Sequence, residues 1–502
     1  MTTAITLDSF HATADRLIAR GSWGMLIDGK IVSAADGRTY ATHSPADGRL
    51  LGYVPLASVQ DVMVAVAAGK AAARSWRDAS VQERVRVVRT AIAALREHAV
   101  ELGVLDSLDS GNPASAMVQE VEMACEWLEY CCGAATSVVG ETLPSRAGQW
   151  LMTHREPYGV VVRITAYNHP ILFAAQKLGA PLVTGNTLIL KVPEQTPLAA
   201  LRMGEILCDV FPAGVLAILP GKGSVAGDAL VRHPDVKRIS LIGSVETGKR
   251  VQIAAAETGI KHLSLELGGK NPMVIFPDVG IEEAAQAAVR GMNYTRTQGQ
   301  SCGSCSRVFV HEDIYDAVVE RIADLAQNIR IGDPLDPTTE MGCMISEREW
   351  RRVMDYIEQA PNEGARLVTG GNRPEHLQSG WFIAPTVFAD VTSEMRIAHE
   401  EIFGPVMSVL RWRDEEELLS IIGSVALGLT SSVWTNDLTA AMRLADRIDS
   451  GYVWINDAAA HYAGAPFSGH ADSGIGTEEG LDELFSFTQV KTVAMSPLRS
   501  TS

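Results

Sequence analysis

The chain has 502 residues, of which 46% are hydrophobic and 21% charged, and its formal net charge is −17 at pH 7. The length predicts more than one domain, and the composition is typical of a globular protein in water. Non-specific binding to nucleic acid is excluded by the acidic excess, since no basic stripe offsets it.

The start of the chain and its cysteines indicate a compartment. Charged residues are spread throughout residues 1–26, which lack the continuous apolar segment of a signal peptide. No apolar run is long enough to cross a bilayer, so no membrane partner is expected. Seven cysteines, an odd number in a long chain, do not form a disulfide framework. The expected location is a reducing cytoplasm.

The predicted elements change in type along the chain. Residues 55–135 read as long amphipathic helices, the second of which runs from Ser80 until Gly111 and Pro113 end it. From about residue 158, β-branched runs such as "YGVVVRITA", "NTLILKV", "GVLAILPG" and "VKRISLIGS" alternate with helical patterns. A second series follows "KHLSLELGG". This alternation predicts two α/β domains with covered parallel sheets, which bind ligands at the carboxyl ends of their strands.

Glycines follow two of these predicted strands. "GKGSVAG" places Gly223 and Gly227 after Gly221, one residue out of step with the usual dinucleotide fingerprint. In "IGSVETG", Gly243 ends a strand and Ser244 precedes a helix. Amides at that helix N-terminus suit a pyrophosphate, although an ordinary serine N-cap explains the pattern equally well.

Polar residues close two further strands. Lys191 ends "NTLILK" and Glu194 follows three residues later, so a cation and a carboxylate could grip neighbouring ribose hydroxyls, or form a surface ion pair. Asn168 closes the strand in "TAYNHP", where an amide can face a pocket or merely make a turn.

The "CGSC" stretch, with Cys302 and Cys305, has several possible meanings. A zinc site needs about four ligands, and none of the other cysteines repeats this spacing, so no metal is expected. A thioredoxin-like motif would lie early in a small domain. A single reactive thiol with helpers elsewhere remains open.

Taken together, these motifs resemble the aldehyde dehydrogenase superfamily over nearly the whole chain. "TAYNHP", "LKVPEQTP", "LIGSVETG", "LELGGKNP", "GQSCGSCSR", "EEIFGPV" and "PFSG" occur in the family's order. The resemblance implies an α/β fold with a Rossmann-like cofactor domain, an α/β catalytic domain and a small β oligomerisation arm. The expected bounds are 1–137 with 158–267, then 268–485, and for the arm 138–157 with 486–502.

The resemblance also implies catalytic roles. Cys302, two places after "GQ", would be the nucleophile, with Asn168 and the Cys302 amide stabilising an oxyanion and Glu266 as the general base for thioester hydrolysis. Cys305 falls at a spacer position, with a transient disulfide as its alternative. Lys177 matches a family lysine that is more often structural, and Glu478 either relays protons or is a solvated glutamate.

For the cofactor, the resemblance implies NAD. Lys191 and Glu194 would hold the adenosine ribose, the glycine segments the pyrophosphate and the "EEIFGPV" stretch the nicotinamide ribose. The expected cofactor-binding residues are Thr165, Tyr167, Lys191, Glu194, Gly223, Gly227, Gly243, Ser244, Leu267, Glu401 and Phe403.

The expected substrate-binding residues are more polar than the aromatic wall that is frequent in the family. They are His169, Phe173, Gln176, Arg296, His461 and Phe467. Arg296 either finds a protein carboxylate or waits for a polar or anionic aldehyde, with an outward surface ion pair as the alternative. Ser468, Ala471 and Thr477 depart from the family pattern near the C-terminus, which puts subunit or loop contacts in doubt more than the chemistry.

Three functions therefore remain in play. The favoured one is NAD-dependent oxidation of an aldehyde to its acid by a homodimer or homotetramer. A relative that acylates coenzyme A generally lacks the base that Glu266 provides. A catalytically silent binding or structural protein would not need Cys302, Glu266, Asn168 and Lys191 together.

Overall fold

The computed structural model describes residues 7–497, so residues 1–6 of the expected cofactor domain and 498–502 of the expected arm lie outside the described residues. Within the described range the α-helices are α1 (Leu7–Ile18), α2 (Val59–Asp78), α3 (Val81–Glu97), α4 (Ala99–Ser110), α5 (Ala114–Ala134), α6 (Pro170–Gln176), α7 (Gly179–Val183), α8 (Leu198–Leu207), α9 (Asp228–Arg232), α10 (Val245–Thr258), α11 (Ile281–Gly291), α12 (Tyr294–Thr297), α13 (Tyr315–Gln327), α14 (Glu347–Gln359), α15 (Arg396–His399), α16 (Glu415–Gly423), α17 (Leu438–Arg447) and α18 (Leu481–Ser486).

The strands of the same range form two large sheets and three small ones. They are β1 (Met25–Ile27), β2 (Lys30–Val32), β3 (Thr39–His43), β4 (Leu50–Pro55), β5 (Thr142–Leu143), β6 (Trp150–Pro157), β7 (Val160–Ile164), β8 (Thr187–Lys191), β9 (Leu216–Leu219), β10 (Arg238–Ile242), β11 (His262–Glu266), β12 (Pro272–Ile275), β13 (Arg307–His311), β14 (Arg366–Thr369), β15 (Thr386–Ala389), β16 (Val406–Trp412), β17 (Leu427–Gly428), β18 (Thr430–Trp434), β19 (Tyr452–Ile455), β20 (His470–Ala471), β21 (Gly474–Ile475) and β22 (Thr488–Met495).

The first large sheet has the order β2-β1-β9-β8-β7-β10-β11-β21. Its strands β7 to β11 are parallel, and β8 and β9 are buried along their whole length. Such strands are covered on both faces, which is why they read as continuous apolar runs. The strand order reverses between β7 and β10. A ligand crevice is expected outside the carboxyl ends of the strands at such a reversal.

The second large sheet has the order β14-β15-β16-β13-β12-β18-β19 and is parallel apart from β14. Separate apolar clusters cover its two faces, one around α11 and α13 and the other around α14 and α17. The mixed α/β fold class predicted from the alternating patterns is therefore confirmed.

Two segments near the C-terminus return to the first half of the chain. Strand β22 pairs antiparallel with β6, which also pairs with β5, so residues from both predicted arm segments share one small sheet. Strand β21 adds to the edge of the first large sheet beside β11, although it lies within the segment 268–485. Leu484 and Phe487 pack into the core of that first sheet.

The predicted second long helix is in fact two helices. Ser80 caps α3 through a reciprocal pair of hydrogen bonds with Glu83. At His98 the backbone leaves helical geometry, and the ring contacts the Glu101 carboxylate in the first turn of α4 at 2.9 Å. Gly111 then ends α4 in the left-handed conformation that a glycine adopts without strain. No helix in residues 7–497 has the length and apolar character to span a membrane.

Candidate active site

A cavity lies between the two large sheets, where β10 and β11 end. Ten of the predicted site residues line this one cavity. Four belong to the expected catalytic set, namely Cys302, Glu266, Lys177 and Glu478, and six are the expected substrate residues His169, Phe173, Gln176, Arg296, His461 and Phe467. The lining also includes Met123, Trp127, Leu172, Trp454 and Glu479, none of which was predicted.

Cys302 is partly exposed in the loop before β13. Its carbonyl accepts a hydrogen bond from Nδ2 of Asn271 at 2.6 Å, and a Cβ on Gly269 would lie only 2.4 Å from that carbonyl oxygen. Glycine at 269 thus allows the loop that carries Cys302 to approach the end of β11. The surroundings raise the pKa of the Cys302 thiol to about 12, chiefly by burial and then through Glu401 and Glu266. The resting side chain is therefore a thiol.

Glu266 is the last residue of β11 and is buried. Neither carboxyl oxygen has a hydrogen-bond partner among the described residues. Burial raises the pKa of Glu266 well above its ordinary value, and the nearby Glu478 raises it further. A buried carboxyl with two free oxygens is unusual in a folded protein, and such groups concentrate at functional sites.

Asn168 follows β7 and is buried, but its side chain is not part of the cavity lining. Its backbone carbonyl accepts a hydrogen bond from Nδ2 of Asn112 at 3.0 Å. That bond fixes the backbone next to His169, which does line the cavity.

Lys177 and Glu478 form a buried ion pair, with Nζ and Oε2 2.6 Å apart. Arg163 lies 3.2 Å from the other oxygen of Glu478 and 2.5 Å from Oε1 of Glu483. Although burial alone would raise the pKa of Glu478, Lys177 and Arg163 hold it well below its ordinary value. Glu478 is thus a buried, ionised member of a charge network, and the alternative of a solvated glutamate is wrong.

Glu478→Gln is expected to lower the free energy of unfolding by about 3 kcal/mol, because the change leaves Lys177 and Arg163 buried with too little negative charge. Denaturant unfolding measures this loss. Glu246→Gln is the matched control, since Glu246 pairs with Arg250 on the exposed face of α10 and should cost less than about 1 kcal/mol. Equal losses in the two variants would contradict the assignment of a buried network.

The two residues expected to hold the adenosine ribose, Lys191 and Glu194, differ in burial. Lys191 is buried at the end of β8, and its Nζ donates to the carbonyl of Val192. Burial lowers the pKa of Lys191 to about 8, while Glu194 acts in the opposite direction. Glu194 is exposed and lines a second cleft with Tyr40 and Lys222. The two residues do not form the surface ion pair that was the alternative.

The glycines after β9 and β10 leave open space. A Cβ at Gly223 or Gly227 would meet no atom within 4 Å, and one at Gly243 would contact only the side chain of Leu241. Ser244 caps α10 by accepting a hydrogen bond from the Thr247 amide. The Ser244 N-cap is therefore present, and the three glycines leave space around their backbone.

The remaining cofactor candidates lie along the same edge of the sheet. Thr165 has a buried hydroxyl with no partner among the described residues, and the Tyr167 and Phe403 rings pack edge to face at 5.9 Å. Glu401 accepts a hydrogen bond from the Gly269 amide at 3.0 Å. Leu267 is buried against Gly248 of α10.

Arg296 pairs with a buried carboxylate. Its Nε lies 3.6 Å from Oε1 of Glu120, a fully buried residue of α5, and the same oxygen accepts a hydrogen bond from Nδ1 of His169 at 2.7 Å. Of the alternatives predicted for Arg296, the structure shows pairing with a carboxylate of the protein, Glu120. No motif in its helix pointed to Glu120, and its partners lie 49 and 176 positions away in the sequence.

A second carboxylate holds the opposite wall. Glu479 contacts Nδ1 of His461 at 3.2 Å and accepts a hydrogen bond from Gln176 at the same distance. The His461 and Phe467 rings pack together with their centroids 5.1 Å apart, and Phe173 packs on His169. The cavity wall thus alternates aromatic rings with histidines that carboxylates orient. No cluster of three or more His, Cys, Asp or Glu suited to a metal ion occurs among residues 7–497.

Comparison with known proteins agrees with this architecture. Residues 31–493 match the model of the aldehyde dehydrogenase family. The chain is 45% identical over 478 residues to aldehyde dehydrogenase tropH of Talaromyces stipitatus, covering 93% of this chain and 92% of that protein.

Solved structures are also similar to this chain in sequence and fold. The NAD⁺ complex of an aldehyde dehydrogenase from Bacillus cereus is 38% identical, with a TM-score of 0.93 over 96% of this chain and 98% of that one. Aldehyde dehydrogenase KauB from Pseudomonas aeruginosa is 33% identical, with a TM-score of 0.95 over 98% and 100%. With the family model matched across nearly its whole length and relatives this similar in sequence and fold, the chain belongs to the aldehyde dehydrogenase family.

Proposed function

We propose that this protein oxidises an aldehyde to the carboxylic acid with NAD, through a covalent intermediate on Cys302. The observation that carries the proposal is the convergence of Cys302 and the partnerless carboxyl of Glu266 on one cavity. The NAD⁺ complex of the Bacillus cereus relative supports the choice of cofactor.

In the first half-reaction the Cys302 thiol gives its proton to water and its sulfur bonds to the aldehyde carbon, while one electron pair of the carbonyl double bond moves onto the oxygen. The thiolate is the nucleophilic form, so removing the proton is the step that burial opposes. The oxyanion then formed would be stabilised by the Cys302 amide. Asn168 is buried at the end of β7 outside the cavity lining, so its side-chain amide would have to turn towards the oxyanion to stabilise it as well. Bound NAD would accept the hydride from the same carbon, which leaves a thioester on Cys302.

In the second half-reaction Glu266 would take a proton from a water molecule that attacks the thioester carbon. The carbon–sulfur bond then breaks, which releases the acid and restores the Cys302 thiol. Both carboxyl oxygens of Glu266 are free to hold that water because no donor from residues 7–497 occupies them. The charge network around Glu478 would keep this end of the cavity rigid and polar.

For the cofactor site we propose the crevice at the carboxyl ends of β7 to β11. The open surface at Gly223, Gly227 and Gly243 would admit the pyrophosphate, while Lys191 and Glu194 would hold the adenosine ribose. The buried free hydroxyl of Thr165 is a further donor at this crevice. Tyr167, Leu267, Glu401 and Phe403 would line the nicotinamide end.

The first large sheet would then form the cofactor domain (1–137 and 158–267), and the second the catalytic domain (268–485). The three-stranded sheet, from 138–157 and 486–502, would join subunits into a homodimer or homotetramer. Its exposed Trp150, Val490 and Met495 suit contact with another subunit. All seven cysteines are free thiols, which suits a cytoplasmic location.

NADH formation from a panel of alkyl, aromatic and carboxylated aldehydes, measured with and without coenzyme A, tests the proposal. Turnover with no need for coenzyme A is expected. An obligatory requirement for coenzyme A would instead indicate an acylating enzyme, and no NADH from any aldehyde would indicate a silent relative.

NAD is expected to be used at least about tenfold more efficiently than NADP, because a 2′-phosphate would lie against the Glu194 carboxylate and like charges repel. Glu194→Gln should reduce that preference. Values of kcat/KM with the two cofactors give the measurement. Gln195→Ala is the control, since Gln195 lines the same cleft without a charge. Equal efficiency with both cofactors in the unaltered enzyme would refute the role of Glu194.

A further inference from the structure

The substrate cavity combines several charged groups with aromatic walls, and the balance of those charges decides which aldehydes enter it. Apart from histidines, the cations among the described lining residues are Lys177 and Arg296. Lys177 is paired with Glu478, so Arg296 is the cation outside that charge network. Its side chain is 31% exposed and lines both this cavity and a neighbouring cleft beside Arg290 and Asp457. Its Nε lies 3.6 Å from Oε1 of Glu120, and its Nη2 donates to Sδ of Met123 at 3.3 Å.

Glu120 is placed to neutralise that guanidinium. Its side chain is fully buried, one oxygen is shared between Arg296 and His169, and the other has no hydrogen-bond partner among the described residues. Met123 and Trp127 follow it by one and two helical turns and line the cavity. Glu120 therefore lies directly behind the cavity wall, on the face of α5 turned towards the substrate.

The other charges of the cavity are also compensated or negative. Lys177 is paired with Glu478, and Glu479 faces His461. Burial raises the pKa of Glu266 well above its ordinary value, which favours its neutral form. Each cation among the described lining residues thus already has a carboxylate partner. An incoming carboxylate would find none that is free to pair with it.

We propose that Glu120 is a specificity-determining residue that cancels the charge of Arg296 and so makes the cavity select uncharged aldehydes over carboxylated ones. The inference rests on the proposed aldehyde oxidation and concerns the same cavity. Glu120 acts through Arg296 and is a positioning residue. Removing its charge would expose an uncompensated cation in a partly desolvated site, where an anion is strongly attracted.

The test compares butanal with succinate semialdehyde, which has the same number of carbons and a terminal carboxylate. The measured quantity is the ratio of kcat/KM for succinate semialdehyde to that for butanal, at pH 8.5, where ordinary imidazoles are neutral. The variants are Glu120→Gln, Arg296→Leu and the double variant. Butanal is the internal reference, so any general loss of activity cancels from the ratio.

Glu120→Gln is expected to raise the ratio about tenfold or more, chiefly through KM for succinate semialdehyde. Arg296→Leu should lower the ratio, because it leaves the Glu120 charge facing the cavity. The double variant should return to within about threefold of the unaltered enzyme. Disrupted packing alone would not shift the ratio in opposite directions in the two single variants and then restore it in the double variant.

An unchanged ratio in Glu120→Gln, or shifts in the same direction in both single variants, would overturn the inference. Thermal melting establishes that each variant is folded. Glu120→Gln should fold, because glutamine has nearly the same size and shape as glutamate and its side-chain oxygen can still accept the hydrogen bond from Nδ1 of His169. If the unaltered enzyme forms no NADH from these two aldehydes or from any other aldehyde of the panel, the proposed function fails, and this inference with it. NADH formation with an unchanged ratio refutes the inference alone.

Discussion

Cys302→Ala is expected to reduce aldehyde turnover by at least about 10⁴-fold, whereas Cys305→Ala should retain most of it. Losing a covalent nucleophile removes the whole reaction path, and effects of this size are typical for such residues. Cys305 is fully buried in the apolar cluster of the second large sheet, with its amide bonded to the carbonyl of Gly291. It does not line the cavity.

Steady-state NADH formation measures both variants, and melting temperature is the control for Cys305→Ala, since a buried Cys→Ala change costs about 1 kcal/mol of stability. Equal loss of activity in the two variants would favour a dithiol function for the pair. The pH dependence adds a second check. With the pKa of Cys302 raised to about 12, alkylation of the thiol by iodoacetamide in the free enzyme should accelerate about tenfold per pH unit from pH 7 to 9.

Glu266→Gln is expected to keep a burst of one NADH per active site but to lose steady turnover by about 10²-fold or more. The amide has nearly the same shape as the carboxyl but cannot accept the proton from water, so the thioester would form and then persist. Rapid mixing of enzyme, NAD and aldehyde measures the burst amplitude and the later rate separately.

The unaltered enzyme provides the comparison for this variant. Because burial raises the pKa of Glu266, less of the base is ionised at low pH, so its steady rate should rise with pH while the burst amplitude stays constant. Loss of the burst in Glu266→Gln, with Cys302 still open to alkylation, would show that Glu266 is needed in the first half-reaction instead.

Local pattern and chain order explain what the sequence could predict. Apolar, β-branched runs located β7 to β10, and polar residues at strand ends located Lys191 and the turn at Gly243, whereas Glu266 was predicted from the resemblance of its motif to the family. Those signals lie within a few residues of each other, and strand ends in a parallel sheet meet at one edge. The fold class and the position of the cavity follow from them.

The charge partners could not be predicted in the same way. Glu120 and Glu479 contact residues of the cavity that are distant in sequence or on another element, and their acidic side chains read as ordinary surface positions. The burial of Glu478 likewise depends on Arg163, 315 positions away. The break at His98 was missed because the apolar spacing of α3 and α4 continues across it.

The return of β21 and Glu478 to the first sheet bears on the order in which the ribosome produces the protein. Arg163 and Lys177 emerge first, whereas the carboxylates that neutralise them, Glu478 and Glu483, are made much later, Glu478 lying 315 positions after Arg163. Until then the nascent first domain contains two cations that cannot be buried without a partner. Its final packing must therefore wait until the segment with Glu478 and Glu483 has been made, and the isolated N-terminal half is a poor candidate for independent folding.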